Sequence, residues 1–183
     1  ELMDLVERMQ GAFTTIAKSK IPTIALAHGF CIGGATSLVS ACDIRLATKD
    51  AKFSIGETKL GLVADVGVIQ RMPKIVSSGD MNELALTGRI FDGEHAEKIR
   101  FVSKAYENSD DLFEAGEKLA NEISSNSKRI VQATKEALEK SSNLTVDQGL
   151  EYAKLWSTSF LVSEDLREGV MAFLEKRDPK FNE

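Results

Sequence analysis

The sequence predicts an α/β core followed by a helical region. Three observations carry this. A short β-branched run, a Gly-Gly turn and a small-residue helix pattern follow one another between Pro22 and Cys42. Two more strand-like runs follow directly, so strand and helix alternate as in α/β packing. Beyond about residue 108 the glycine-rich pattern gives way to acidic, helix-patterned sequence.

Leu2, Leu5, Val6, Met9, Phe13 and Ile16 recur at helical spacing, which predicts an amphipathic helix over residues 1–18, closed by Lys18–Lys20 and Pro22. Thr23–Ala27 is short, apolar and partly β-branched, a buried strand ending at His28-Gly29. Gly33-Gly34 then precedes Ala35–Cys42, read as a buried helix. Asp43–Thr48 and Ala51–Ile55 read as strands, with Lys49-Asp50 at the turn. Glycines at 56, 61 and 67 are too many for one regular helix, so this stretch is a shaped loop, and helical periodicity returns over Val68–Val76.

Asp80 with Glu83 resembles a capping box for a helix ending at Gly88. Further helices are expected over 93–100, 111–124, 128–140, 146–161 and 164–176. Ser127, Thr145 and Ser163 stand at N-caps, and Thr145-x-x-Gln148 is a capping-box pattern. No internal repeat is visible. The composition shift divides the chain into residues 1–108 and 109–183.

With 43% hydrophobic and 28% charged residues the chain can bury a sizeable core. A net charge of -5 offers no broad basic face, so nucleic acid is not an expected partner. Apolar runs stop well short of the ~20 residues of a membrane span, and none is expected. Glu1 opens in the middle of a helical pattern, so an upstream segment is expected. Cys31 and Cys42 have no second cysteine-rich cluster to suggest zinc and suit structural thiols in a reducing compartment.

Two places carry chemistry. Backbone N–H groups where a helix starts can hold an anion or a developing oxyanion, which makes Gly33-Gly34 a candidate, although such a turn also serves plain packing. Glu57 and Asp65 stand on one loop among Leu60, Leu62, Val63, Ala64 and Val66, and carboxyl groups in apolar surroundings suit proton exchange with carbon. The plainer roles are a solvated loop charge for Glu57 and a helix cap for Asp65. His28 and His95 read as packed or surface residues. No GxSxG elbow and no dinucleotide fingerprint is present.

The stretch Ile21-Pro22-Thr23-Ile24-Ala25-Leu26-Ala27-His28-Gly29-Phe30-Cys31-Ile32-Gly33-Gly34-Ala35, with Ala41-Cys42-Asp43-Ile44-Arg45 and Phe53-Ser54-Ile55-Gly56-Glu57, resembles the signature of the enoyl-CoA hydratase/isomerase (crotonase) family. The resemblance continues through Gly61-Leu62, Gln70-Arg71-Met72-Pro73, Leu86-Thr87-Gly88-Arg89, Glu168-Gly169 and Phe173–Arg177. It implies a crotonase-type ββα spiral, whose C-terminal part is residues 1–108, and a helical trimerisation region over 109–183. It also implies homotrimers or hexamers and an acyl-CoA thioester substrate of fatty acid β-oxidation. Coenzyme A is then part of the substrate, and no cofactor or metal is needed.

In such a site two backbone N–H groups polarise the thioester carbonyl. The resemblance assigns one to Gly34 and the other to an upstream segment, with much of the CoA-binding surface. Hydratases carry a glutamate where this chain has Ser37, and a serine cannot replace the base that activates water. The run Gly61–Gly67 is instead similar to dienoyl-CoA isomerases, which convert a 3,5-diene to a 2,4-diene with acids matching Glu57 and Asp65. Those enzymes have a third aspartate at the position of Ser37. Gly33 and Ser37 are expected to line the pocket, and Arg100 stands where the family commonly has glycine. The competing expectations are a hydratase or 3,2-enoyl isomerase using Glu57 alone, and a non-catalytic binding or assembly protein. The C-terminal Phe181-Asn182-Glu183 is not a peroxisomal Ser-Lys-Leu address. The expected compartment is cytoplasmic in a bacterium, or the mitochondrial or peroxisomal matrix in a eukaryote.

Overall fold

The computed structural model describes residues 1–181, so Asn182 and Glu183 of the C-terminal tripeptide lie outside the described residues. The chain forms two units, one of Glu1–Ser19 with Thr23–Lys118 and one of Lys20–Pro22 with the chain from Leu119 onward.

In the first unit, α1 (Leu2–Ala17) is the expected amphipathic helix. The strands β1 (Ile24–Ala27), β3 (Ile44–Thr48) and β6 (Lys104–Tyr106) form one parallel sheet in the order β1-β3-β6. A second sheet has β2 (Phe30–Ile32) parallel to β4 (Lys52–Ser54), which runs antiparallel to β5 (Phe91–Asp92). The pairs β1–β2 and β3–β4 therefore repeat one design, in which each sends its first strand to one sheet and its second to the other. This repeat is in the backbone and not in the residues.

Strand β2 escapes a hydropathy reading because Phe30 and Ile32 are exposed and only Cys31 between them is buried. Its identity as a strand comes from pairing with β4. The aromatic centre of the core is Phe53, which stacks on Phe91 at 5.5 Å and meets Phe101 edge-on at 5.5 Å. Such rings each contribute about 1.5–3 kcal/mol through burial. Beside them Arg45 donates from Nε to the Phe101 carbonyl at 2.8 Å and from Nη1 to that of Cys42 at 2.5 Å. Burial lowers the pKa of this guanidinium, against the opposing pull of Cys42 and Asp43.

The helices depart from expectation in two places. The 68–76 segment splits into α3 (Val68–Arg71) and a 3-10 turn (Met72–Lys74), because Pro73 lacks the N–H that would continue the ladder. Asp80 is not the cap of α4 (Ser78–Thr87). Ser77 is: its Oγ accepts from the Asp80 N–H at 3.1 Å and donates to the Asp80 carboxylate at 2.7 Å. The helix does end at Gly88, which adopts φ 58°.

After α5 (Gly93–Lys98), Arg100 takes φ 62°. Its N–H donates to Glu97 O and the Phe101 N–H to Ala96 O, the paired bonds of a Schellman end whose left-handed residue is ordinarily glycine. That gives a backbone reason for the glycine expected there.

Helix α6 (Ser109–Ser124) begins just after the composition shift, and the division between units falls inside it. The second unit holds α7 (Lys128–Ser141), α8 (Val146–Phe160) and α9 (Glu164–Glu175). Ser127, Thr145 and Ser163 are their N-caps, and Thr145 and Gln148 close both bonds of a capping box. Trp156 stacks on Phe160 at 5.7 Å, while Leu150, Val170 and Phe173 stay exposed. Among the described residues no helix is long and apolar enough to cross a membrane.

Candidate active site

The pairing of β2 with β4 places Ile32 opposite Ser54 and so delivers the chain after each strand to the same place. After β2 comes the turn Gly33-Gly34 and helix α2 (Gly34–Ala41), and after β4 comes the 3-10 turn Gly56–Leu60 that carries Glu57. Two bonds lock the glycine turn to the end of β4. The Gly33 N–H donates to Ser54 O at 2.9 Å, and the buried Thr36 hydroxyl reaches Ser54 O at 3.0 Å and also contacts Cys31 O.

Glu57 consequently sits against the glycine turn. Gly33 adopts φ 57°, and a Cβ there would lie 3.3 Å from Glu57 Oε1 and 3.7 Å from its Cδ. The other carboxylate oxygen, Oε2, is buried with no hydrogen-bond partner among the described residues. A solvated loop charge would not be held this way. Gly34 is exposed at the first position of α2, with open space where a side chain would be. Its N–H makes no hydrogen bond among the described residues. An unpaired donor, with the positive end of the helix dipole behind it, can receive a carbonyl oxygen that is gaining charge.

Asp65 lies further along the same loop, with an exposed side chain. It does not cap α3, whose N-cap is Gly67 without any side-chain bond. The loop around it is tied from two sides: Gln10 on α1 donates to Asp65 O at 2.7 Å, and Arg71 donates to Val66 O at 3.3 Å. Arg71 also reaches Thr14 Oγ1 at 3.1 Å. Ser37, one turn into α2, is fully buried, and its hydroxyl has no hydrogen-bond partner among the described residues. Among the described residues no three His, Cys, Asp or Glu side chains converge as a metal site requires.

The family model described as Enoyl-CoA hydratase/isomerase matches residues 3–183. The chain belongs to this family. It is 47% identical over 181 residues to the mitochondrial Delta(3,5)-Delta(2,4)-dienoyl-CoA isomerase of Dictyostelium discoideum, covering 99% of this chain and 62% of that protein. It is 41% identical to the peroxisomal Delta(3,5)-Delta(2,4)-dienoyl-CoA isomerase of Arabidopsis thaliana, covering 99% of this chain and 65% of that one. The chain thus spans less than two-thirds of the length of either isomerase. Among solved structures, an enoyl-CoA hydratase from Bacillus anthracis aligns with TM-score 0.92 and 28% identity, over 98% of this chain and 69% of that one. The crotonase fold expected from the residues is the fold observed.

Within this enoyl-CoA hydratase/isomerase chain, the sequence points to Gly33, Gly34, Ser37, Glu57 and Asp65 but not to the residues that hold them. Thr36 fixes the glycine turn, and Gln10 and Arg71 fix the Asp65 loop. A hydroxyl or an amide bonding to a backbone carbonyl far along the chain leaves no periodic trace. Arg71 lies in the family-like segment Gln70-Arg71-Met72-Pro73, where the resemblance gives it no role.

Proposed function

We propose that the full-length protein is a dienoyl-CoA isomerase that converts a 3,5-dienoyl-CoA to the 2,4-dienoyl-CoA. The observation that carries this reading is the Glu57 carboxylate packed on Gly33, the residue before Gly34, whose N–H makes no hydrogen bond among the described residues. The Gly34 N–H, with a second donor from the upstream segment, holds the thioester oxygen as an enolate, and a donor of this kind contributes ~3 kcal/mol. One of Glu57 and Asp65 takes the proton from carbon 2. The other, protonated beforehand, delivers one to carbon 6 at the far end of the dienolate. One proton leaves and one arrives, so no cofactor is consumed and coenzyme A remains the handle of the substrate.

Both isomerases named above support the assignment, as does Ser37 in place of a second water-activating glutamate. The working assembly is a homotrimer or hexamer built on exposed apolar residues such as Leu150, Val170 and Phe173. A full-length protein sedimenting as a monomer at micromolar concentration would refute that assembly. The compartment is reducing and, in a eukaryote, a mitochondrial or peroxisomal matrix.

The test supplies full-length protein with a 3,5-dienoyl-CoA in deuterium oxide. Conjugated diene carrying deuterium at carbon 6 is the expected product. A 3-hydroxyacyl-CoA formed from a 2-enoyl-CoA at a comparable rate would assign hydration through Glu57 alone.

A further inference from the structure

Resting on the isomerase reading, we infer that Gln10 and Arg71 are positioning residues for Asp65, and that helix α1, not the loop's own backbone, sets where this acid stands. No backbone–backbone hydrogen bond among the described residues involves Val63, Ala64, Asp65 or Val66. Side chains hold the segment instead. Gln10 Nε2 donates to Asp65 O at 2.7 Å, and Arg71 Nη1 donates to the next carbonyl, Val66 O, at 3.3 Å. Arg71 Nη2 donates at 3.1 Å to Thr14 Oγ1, which stands one turn from Gln10 on the same face of α1. Both grips therefore lead back to one helix.

The local chain is shaped for this hold. Gly67 takes φ 117°, and a Cβ there would stand 1.8 Å from Arg71 Nη1 and 2.8 Å from Cζ, so the guanidinium lies across a face that only glycine leaves free. Ala64 and Val66 are buried while Val63 and Asp65 are exposed, the alternation of an extended segment. The inward pair anchors the segment and turns the Asp65 side chain outward. Glu57 has a different support, the β2–β4 register and its packing on Gly33. Loosening the hold of α1 thus displaces Asp65 and leaves Glu57 in place.

The test uses the full-length protein and its Gln10→Ala and Arg71→Lys variants. Gln10 is exposed and alanine is the better helix former, so Gln10→Ala should fold as the parent does. Lysine keeps the charge of Arg71 but lacks the planar fork that serves Val66 O and Thr14 together. Each variant should lower kcat about 10-fold with KM unchanged, since misplacing a reacting group by ~1 Å costs up to ~100-fold. Each should also move the ratio of carbon-2 hydrogen exchange to product formation in the direction that Asp65→Asn moves it. In an Asp65→Asn background, Gln10→Ala should cost nothing further, because both changes act on one group. An equal further loss there overturns the inference, as does an unchanged kcat in Gln10→Ala alone. Should Arg71→Lys not fold, Gln10→Ala decides. The carbon-13 resonance of the Asp65 carbonyl should shift in Gln10→Ala, and an unmoved resonance also overturns the inference. A shifted resonance in a protein without isomerase activity would retain the hold of α1 on Asp65 and reject the isomerase reading.

Discussion

The carboxylate of Glu57 rests on the one face of Gly33 where any other residue would carry its Cβ, which would stand 3.3 Å from Oε1. Glycine also supplies the left-handed turn, φ 57°, that lets β2 pass into α2. One absent side chain thus serves both the turn and the placing of the acid.

Gly33→Ala tests this double role. Holding alanine at φ 57° and ψ -116°, a sparsely populated conformation, costs ~1–3 kcal/mol, which for a chain of this size lowers Tm by roughly 2–12 °C. The added methyl must also push the carboxylate by a few tenths of an ångström. Since a misplacement near 1 Å can cost ~100-fold, kcat of the full-length enzyme should fall by at least about 10-fold. Thermal unfolding and steady-state kinetics on the same preparation check both. Undiminished kcat would mean that Glu57 is not held by this contact.

Arg100 offers the opposite experiment. It occupies the left-handed position of the Schellman end after α5 at φ 62°, at a cost of ~1–2 kcal/mol. Glycine removes that strain and gives back ~0.5–1 kcal/mol through the entropy of the unfolded chain. Arg100→Gly should therefore stabilise the protein by about 0.5–1 kcal/mol, measured by urea unfolding, with kcat unchanged. A destabilised variant would mean that the arginine side chain contributes more than its backbone strain removes.

These two positions show what the sequence discloses and what it withholds. Helix starts were legible because Ser127, Thr145 and Ser163 cap through their own side chains, a local chemistry written in a few adjacent residues. Ser77 was missed because Asp80, bonded to it, is itself a good capping residue. Strands β2, β5 and β6 are two or three residues long and owe their existence to partners remote in sequence, so no periodicity marks them. The acids stood out by their apolar neighbours. The contact of Glu57 with Gly33 did not, because it depends on the β2–β4 register.

At the C-terminal end, Glu168 accepts from Arg177 Nη1 at 2.6 Å, from Nη2 at 3.0 Å and from the Lys180 N–H at 2.7 Å. These bonds, the Arg177 side chain first and the Lys180 backbone next, lower its pKa from 4.5 to about 2. A carboxylate depressed in the folded state contributes stability that is present above its unfolded value and is lost as pH falls through the folded one. The clamp should therefore persist below pH 4.5 and open only towards pH 2. Carbon-13 titration of the Glu168 carboxyl checks this, and Glu168→Gln should loosen the Lys180 amide at every pH. A midpoint near 4.5 would show the clamp to be absent in solution.

The chemistry itself is tested at Asp65. Its side chain is exposed and caps no helix, so Asp65→Asn should leave Tm within about 1 °C, as surface changes usually do. Yet if Asp65 is one of the two proton carriers, the same variant of the full-length enzyme should lose ~100-fold or more in dienoyl isomerisation, because a positioned acid or base contributes ~10²–10⁴. Substrate affinity should change little if, as proposed, the thioester is held at Gly34 and by the upstream segment. Glu57→Gln should be impaired to a similar degree, and Ser37→Ala should keep most of the activity because a serine there carries no proton to the substrate. Carbon-2 hydrogen exchange then separates the two acids: the variant that still exchanges this proton without forming product has lost the group serving carbon 6. Full isomerase activity in Asp65→Asn would remove Asp65 from the mechanism and leave Glu57 to shuttle a single proton by itself, the chemistry of a one-acid isomerase.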